Sequence, residues 1–130
     1  MNLDSVFRNN MEAVQLIENA TFIKSTFGIN FSMALFKNVD NLDKNILMRS
    51  LKEKLRYSDR LVSLNDNFVF VVFPYSPVSA ANGAVSRTLK EDQFKLLKAV
   101  SVEVDPETDI EGNILILLSL AFKNDLGDLT

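Results

Sequence analysis

The 130 residues contain no cysteine and no histidine. That excludes disulfide scaffolding, thiolate chemistry, Cys/His zinc sites, and any triad or acid–base pair built on imidazole. A metal would need oxygen ligands, and catalysis would have to run on carboxylates, lysines or hydroxyls. Lack of cysteine fits a reducing compartment. There is also no basic excess: the net charge is -3, so no positive field exists to hold nucleic acid non-specifically. The opening MNLDSVFRNN lacks a basic stretch followed by an apolar run, so no signal peptide is expected. The longest apolar run, Ile114 to Phe122, is too short to span a bilayer. A cytoplasmic domain without direct membrane insertion is the expectation, either alone or as the soluble part of a larger or membrane-attached assembly.

What is present is one globular domain's worth of chain, with no repeat, no low-complexity tract and no Pro/Gly-rich linker. Asp4 is a candidate cap for one N-terminal helix. It would run with Val6, Phe7, Met11, Val14 and Ile17 at near-helical spacing to a stop at Gly28. Residues 29–39 (INFSMALFKNV) are apolar on both faces and short, as in a strand buried in mid-sheet. Asn41 and Asp43 offer caps for a helix whose Leu47, Leu51 and Leu55 recur at i, i+4 and i+8.

Arg60 to Leu64 reads as a short strand, and Asn65-Asp66-Asn67 as a turn, because Asn and Asp tolerate positive φ and bond their own backbone. FVFVVF (68–73), stopped by Pro74, is a second fully buried strand. Ser76-Pro77 then reads as a cap with proline in the first helical position, opening a helix to about Lys90; Ala80, Ala81, Gly83 and Ala84 would let it approach the sheet closely. Leu97 to Val104 alternates as a strand. The leucine-rich ending suits a helix from about Glu111, with a fifth strand as the alternative. The order predicts an α+β fold with a ferredoxin-like βαββαβ core, an N-terminal helix and a C-terminal helix.

Several stretches occur in a familiar order: LDSVFRNN, SMALFKNVDNL, RYSDRLVSLNDNFVFVVFP and LLSLAFKND. Together they resemble the GGDEF domain, the catalytic domain of diguanylate cyclases. They match in turn its opening D-x-L-T-G-L-x-N-R, its strand ending D-I-D-x-F, its R-x-x-D followed five residues later by GGDEF, and its last helix A-D-x-A-L-Y-x-A-K. The resemblance covers nearly the whole chain.

The departures point away from catalysis. Without gaps, NDNFV (65–69) stands where the GGDEF letters belong, so Asn65 and Asp66 replace the glycines that let the hairpin backbone approach a nucleotide. In the family, carboxylates from the first strand and the hairpin hold magnesium for attack of a ribose 3′-hydroxyl on an α-phosphate. Asn38 and Asn67 stand at those positions here, although Asp40 and Asp66 lie nearby. The family's guanine-gripping loop is largely missing between NVDNL and NILMRSLKEKL. The resemblance therefore implies a degenerate, non-catalytic domain needing no cofactor.

Arg56-Tyr57-Ser58-Asp59 keeps the spacing of the family's inhibitory R-x-x-D site, and Arg87 stands where a helper arginine would come from the next helix. In cyclases that have this site, it binds cyclic di-GMP. A guanidinium can pair with phosphate or a guanine edge and can stack on a base, while a carboxylate complements guanine N–H donors. The other reading is structural: a helix C-terminus favours arginine, and Asp59 can cap the turn into the next strand. A second role for the whole domain is a protein-interaction or dimerisation module docking through Val6, Phe7, Met11 and Val14. Among the remaining candidates, Arg49, Lys52, Lys54 and Arg56 read as a solvated face beside Glu53. Phe22, Phe27, Phe31 and Phe36 read as core, Asp105 and Glu107 as a turn, and Asp125 and Asp128 as a frayed tail.

Overall fold

The computed structural model describes residues 3–39, 42–90 and 97–124. Its elements run α1 (Leu3–Arg8), α2 (Met11–Phe27), β1 (Phe31–Asn38), α3 (Lys44–Lys54), β2 (Arg60–Ser63), β3 (Phe68–Pro74), α4 (Val78–Leu89), β4 (Leu97–Glu103) and α5 (Ile110–Lys123). The strands form one sheet in the order β2-β3-β1-β4, every neighbouring pair antiparallel. The two most apolar strands, β1 and β3, are central, as their composition predicts.

Successive side chains of a strand point to opposite faces, so β1 feeds two cores. Phe31, Met33 and Leu35 join Phe68, Phe70 and Val72 of β3 beneath α1, α2 and α5. Ala34 and Phe36 join Val69, Val71 and Phe73 beneath α3 and α4. The result is three layers, with helices on both faces of the sheet. Leu47 and Leu51 of the α3 stripe are buried and Leu55 is half-buried. The ending is the helix α5, and Asp109 caps it by accepting from Gly112 N–H at 2.7 Å. No helix among the described residues is long and apolar enough to cross a membrane.

The N-terminal segment is two helices, not one. Asn10 leaves helical geometry (φ -92°, ψ 101°) and its Oδ1 accepts from Ala13 N–H at 3.0 Å, so it starts a new helix. Asp4 is inside α1, one residue past its start, and pairs with Arg8 at 2.7 Å. Gly28 does end α2, in the left-handed conformation (φ 69°). The proposed docking residues divide too: Phe7 is fully buried, Val6 and Val14 are half-buried, and Met11 alone is exposed, at 83%. Phe22 and Phe27, expected in the core, are 62% and 66% exposed, whereas Phe31 and Phe36 are buried.

The other helix starts show the same local chemistry. Asp43 caps α3 through Asn45 and Ile46 N–H; Asp40 and Asn41 lie outside the described residues, as do Asp125 and Asp128. Helix α4 begins one residue later than its sequence suggests, with Pro77 as N-cap and no side-chain cap bond, because the Ser76 hydroxyl is turned inward to Pro74 O at 3.1 Å. The turn at Asp105–Glu107 forms as expected. The Asp105 carboxylate accepts from Glu107 N–H and the Thr108 hydroxyl, and these bonds hold its pKa below the usual carboxylate value.

Candidate functional site

Helix α3 stops at Leu55, whose backbone is extended (φ -99°, ψ 167°). The next four residues fold into a turn closed twice over. Asp59 N–H donates to Arg56 O at 3.0 Å, and Arg56 N–H donates to Asp59 Oδ2 at 2.8 Å. The other carboxylate oxygen, Oδ1, accepts from Arg56 Nε at 3.2 Å and Nη2 at 3.0 Å. Nη2 reaches further, to Pro74 O at 2.9 Å and Ser76 Oγ at 2.7 Å. One guanidinium edge therefore ties the turn after α3 to the turn after β3. None of these bonds uses Nη1.

The Arg56 side chain is 53% exposed and that of Asp59 only 1%. The aspartate thus acts inward: it caps the turn and aims the arginine outward. Both its oxygens accept from Arg56 and the side chain is almost wholly buried, so it offers little surface to a ligand. The shared turn has a second unusual feature: Tyr75, between Pro74 and Ser76, sits at φ 60°. An aromatic residue in that region is uncommon, and its two neighbours are the ones that accept from Arg56.

Arg87 is on α4, with its Nη1 above Gly83 at ordinary contact distance from where a Cβ would stand. Arg56, Asp59 and Arg87 border one small cleft of about 140 Å³, walled by Phe73, Ala80 and Ala84. The three residues that spacing singled out are thus together. Ser76 and the carbonyl of Pro74 were missed, because Ser76-Pro77 carries the signature of a helix cap.

Asn38 and the hairpin tip also meet, at the other end of β3, about 20 Å away at the usual rise per strand residue. Asn38 N–H donates to Asn67 O at 2.7 Å. Its side chain is committed as well: Nδ2 donates to Leu42 O at 2.8 Å and contacts Asp66 O at 3.5 Å, while Oδ1 accepts from Leu42 N–H at 3.1 Å. Asn65 Oδ1 accepts from Asn67 and Phe68 N–H, making the tip a self-bonded Asx turn. Asp66 and Asn67 are exposed. A buried amide already spent on backbone, beside an exposed amide, does not fit a magnesium ion, which takes carboxylates and phosphate oxygens. Among the described residues no three acidic side chains gather to hold a metal.

These bonds set separate costs for the two turn residues. Asp59→Ala is expected to lower stability by about 1–3 kcal/mol, since it strips a buried cap from Arg56 N–H as well as the ion pair. Arg56→Ala should cost less, because its head is half in water. Urea unfolding of both variants checks this. Equal losses would mean that the ion pair, not the backbone cap, carries the turn.

No protein-family model matches the chain, and no curated protein does. Among solved structures the chain is similar to PelD 158-CT from Pseudomonas aeruginosa PAO1, with a TM-score of 0.62 and 17% identity. The match covers 98% of this chain and 48% of that one, so the chain spans about half its length. The likeness is one of fold, and the fold it supports is GGDEF-like.

Proposed function

We propose that this domain is a non-catalytic regulatory module that binds cyclic di-GMP through Arg56 and Arg87, with Asp59 holding Arg56 in position. The convergence of Arg56 and Arg87 on one cleft beside a buried Asp59 carries this reading. The strand order, with α3 and α4 as crossovers, supports taking the core as a ferredoxin-like split βαβ. The amides at Asn38 and Asn67, and the passage from β1 to α3 within residues 39–43, support the loss of cyclase chemistry. The two ends of β3 are far enough apart for the tip to lose its chemistry while the Arg56 turn persists.

Binding would place one edge of a guanine, or a bridging phosphate, against the free edge of Arg56, with Arg87 supplying a second fork of donors. Isothermal titration with cyclic di-GMP tests this, with GTP as control. The expected result is a Kd in the low micromolar range, about -8 kcal/mol. Arg87→Ala should weaken it by about tenfold or more, the worth of a hydrogen bond to a charged group. Absence of heat and of any thermal shift would reduce Arg56 and Asp59 to parts of a structural turn.

A further inference from the structure

Arg56 and Asp59 also border a larger cleft of about 620 Å³, within the usual range for small-molecule sites. It follows the outer edge of the sheet, where β2 is the edge strand, and α3 forms its wall. Arg49 and Lys52 reach it from α3, Arg60 from the start of β2, and Arg56 from the turn between them. Against these four cations stand two carboxylates, Glu12 from α2 and Asp59, which Arg56 already pairs with. Arg49, Lys52 and Arg60 form no ion pair among the described residues, where the pairs are Arg8–Asp4, Arg8–Glu111 and Arg56–Asp59.

Simpler causes explain only part of this. The helix dipole favours Lys52 in the last turn of α3, and an edge strand gains from Arg60 as a guard against pairing. Neither explains Arg49 in mid-helix, nor why all three converge on one cleft without forming an ion pair there, on a chain of net charge -3. Tyr57 adds an aromatic ring at the same cleft that is fully solvent-exposed, at 101%. Half-buried Met48 and Leu61 give the cleft an apolar component.

We infer that this cleft binds a nucleoside polyphosphate, the phosphates lying on Arg49, Lys52 and Arg60 and the base stacking on Tyr57. Aromatic stacking tolerates any base, so the site reads the phosphate chain and the presence of a base rather than base identity. A long nucleic acid is disfavoured because the surrounding surface of an acidic protein repels it. The inference stands apart from the cyclic di-GMP reading, since it uses neither Arg87 nor the cleft beside α4. Arg56 borders both clefts and is left untouched in the test.

The test titrates the domain with ATP, followed by calorimetry and by Tyr57 fluorescence in a Tyr75→Phe background, which leaves Tyr57 as the sole tyrosine. ATP should bind and quench the signal, and added salt should weaken it. Arg49→Glu/Arg60→Glu should lower affinity by about tenfold or more, while Arg87→Ala leaves it unchanged. All these residues are exposed, and a thermal melt verifies that the variants fold; Tyr57→Ala gives an independent, charge-neutral loss. Three results would each overturn the inference: no ATP binding, binding indifferent to the double charge reversal, or equal affinity for inorganic tripolyphosphate.

Discussion

Phe7→Ala is expected to destabilise the domain by about 3–5 kcal/mol, the usual cost of emptying a buried phenylalanine site. Phe7 is fully buried and meets Phe70 edge-on, with ring centroids 4.8 Å apart at 68°. Phe70 lies opposite Leu35 at the centre of the sheet, so the cavity would open in the middle of the core under α1, α2 and α5. Helix α1 has six residues, too few to persist without tertiary support, and Phe7 and Leu3 are its buried anchors. Its release would enlarge the loss. Urea unfolding gives the number, with Met11→Ala as control; that exposed site should move stability by no more than about 0.5 kcal/mol. A small effect at Phe7 with a large one at Met11 would reverse the assignment of buried and exposed positions in this segment.

Asn113→Ala should cost roughly 3 kcal/mol, by removing several bonds to partly buried backbone groups at once. The Asn113 side chain is completely buried at the start of α5. Its Oδ1 accepts from Asp105 N–H at 2.8 Å. Its Nδ2 donates to Asp105 O at 3.0 Å and to Thr108 O and Asp109 O, each at 3.2 Å. One amide therefore pins the turn between β4 and α5, and few residues can replace it. Asn113→Asp keeps the shape yet turns an acceptor toward three carbonyl oxygens, so it should be at least as damaging. Thermal unfolding of both variants is the measurement, with exposed Ser119→Ala as reference. Survival of Asn113→Asp at near wild-type stability would show that shape, not donation, holds the turn.

Much of this architecture is legible in the chain, for local reasons. FVFVVF, stopped by Pro74, reads as a strand buried on both faces, Leu47, Leu51 and Leu55 mark one side of a helix, and Asn65 closes its own turn. The break between α1 and α2 is hidden because Met11 and Val14 continue the apolar rhythm across Asn10, while the decisive event is one side-chain bond to Ala13. Phe22 and Phe27 mislead for the opposite reason: aromatic character suggests burial, but both lie on the side of α2 turned from the sheet. At the candidate site, spacing locates Arg56, Asp59 and Arg87. It cannot reveal that Arg56 is shared with Pro74 and Ser76, since those partners arrive only when β3 returns beside the end of α3. The cationic cleft is hidden likewise. Arg49 and Lys52 read as a solvated helix face until β2 brings Arg60 and the turn brings Tyr57 alongside.

The strand order also governs how this chain is made. The β2–β3 hairpin closes between sequence neighbours and can form early. Strand β1 is synthesised before either of its partners, and its pairing of Ser32 with Glu103 spans most of the domain. Contacts that distant are slow to close because the intervening chain must first be gathered. Until residue 103 has emerged, β1 holds β3 on one side and offers Met33, Ala34, Leu35 and Phe36 along an unpaired edge on the other. The strand at the centre of the finished sheet is therefore the aggregation-prone edge of the nascent one.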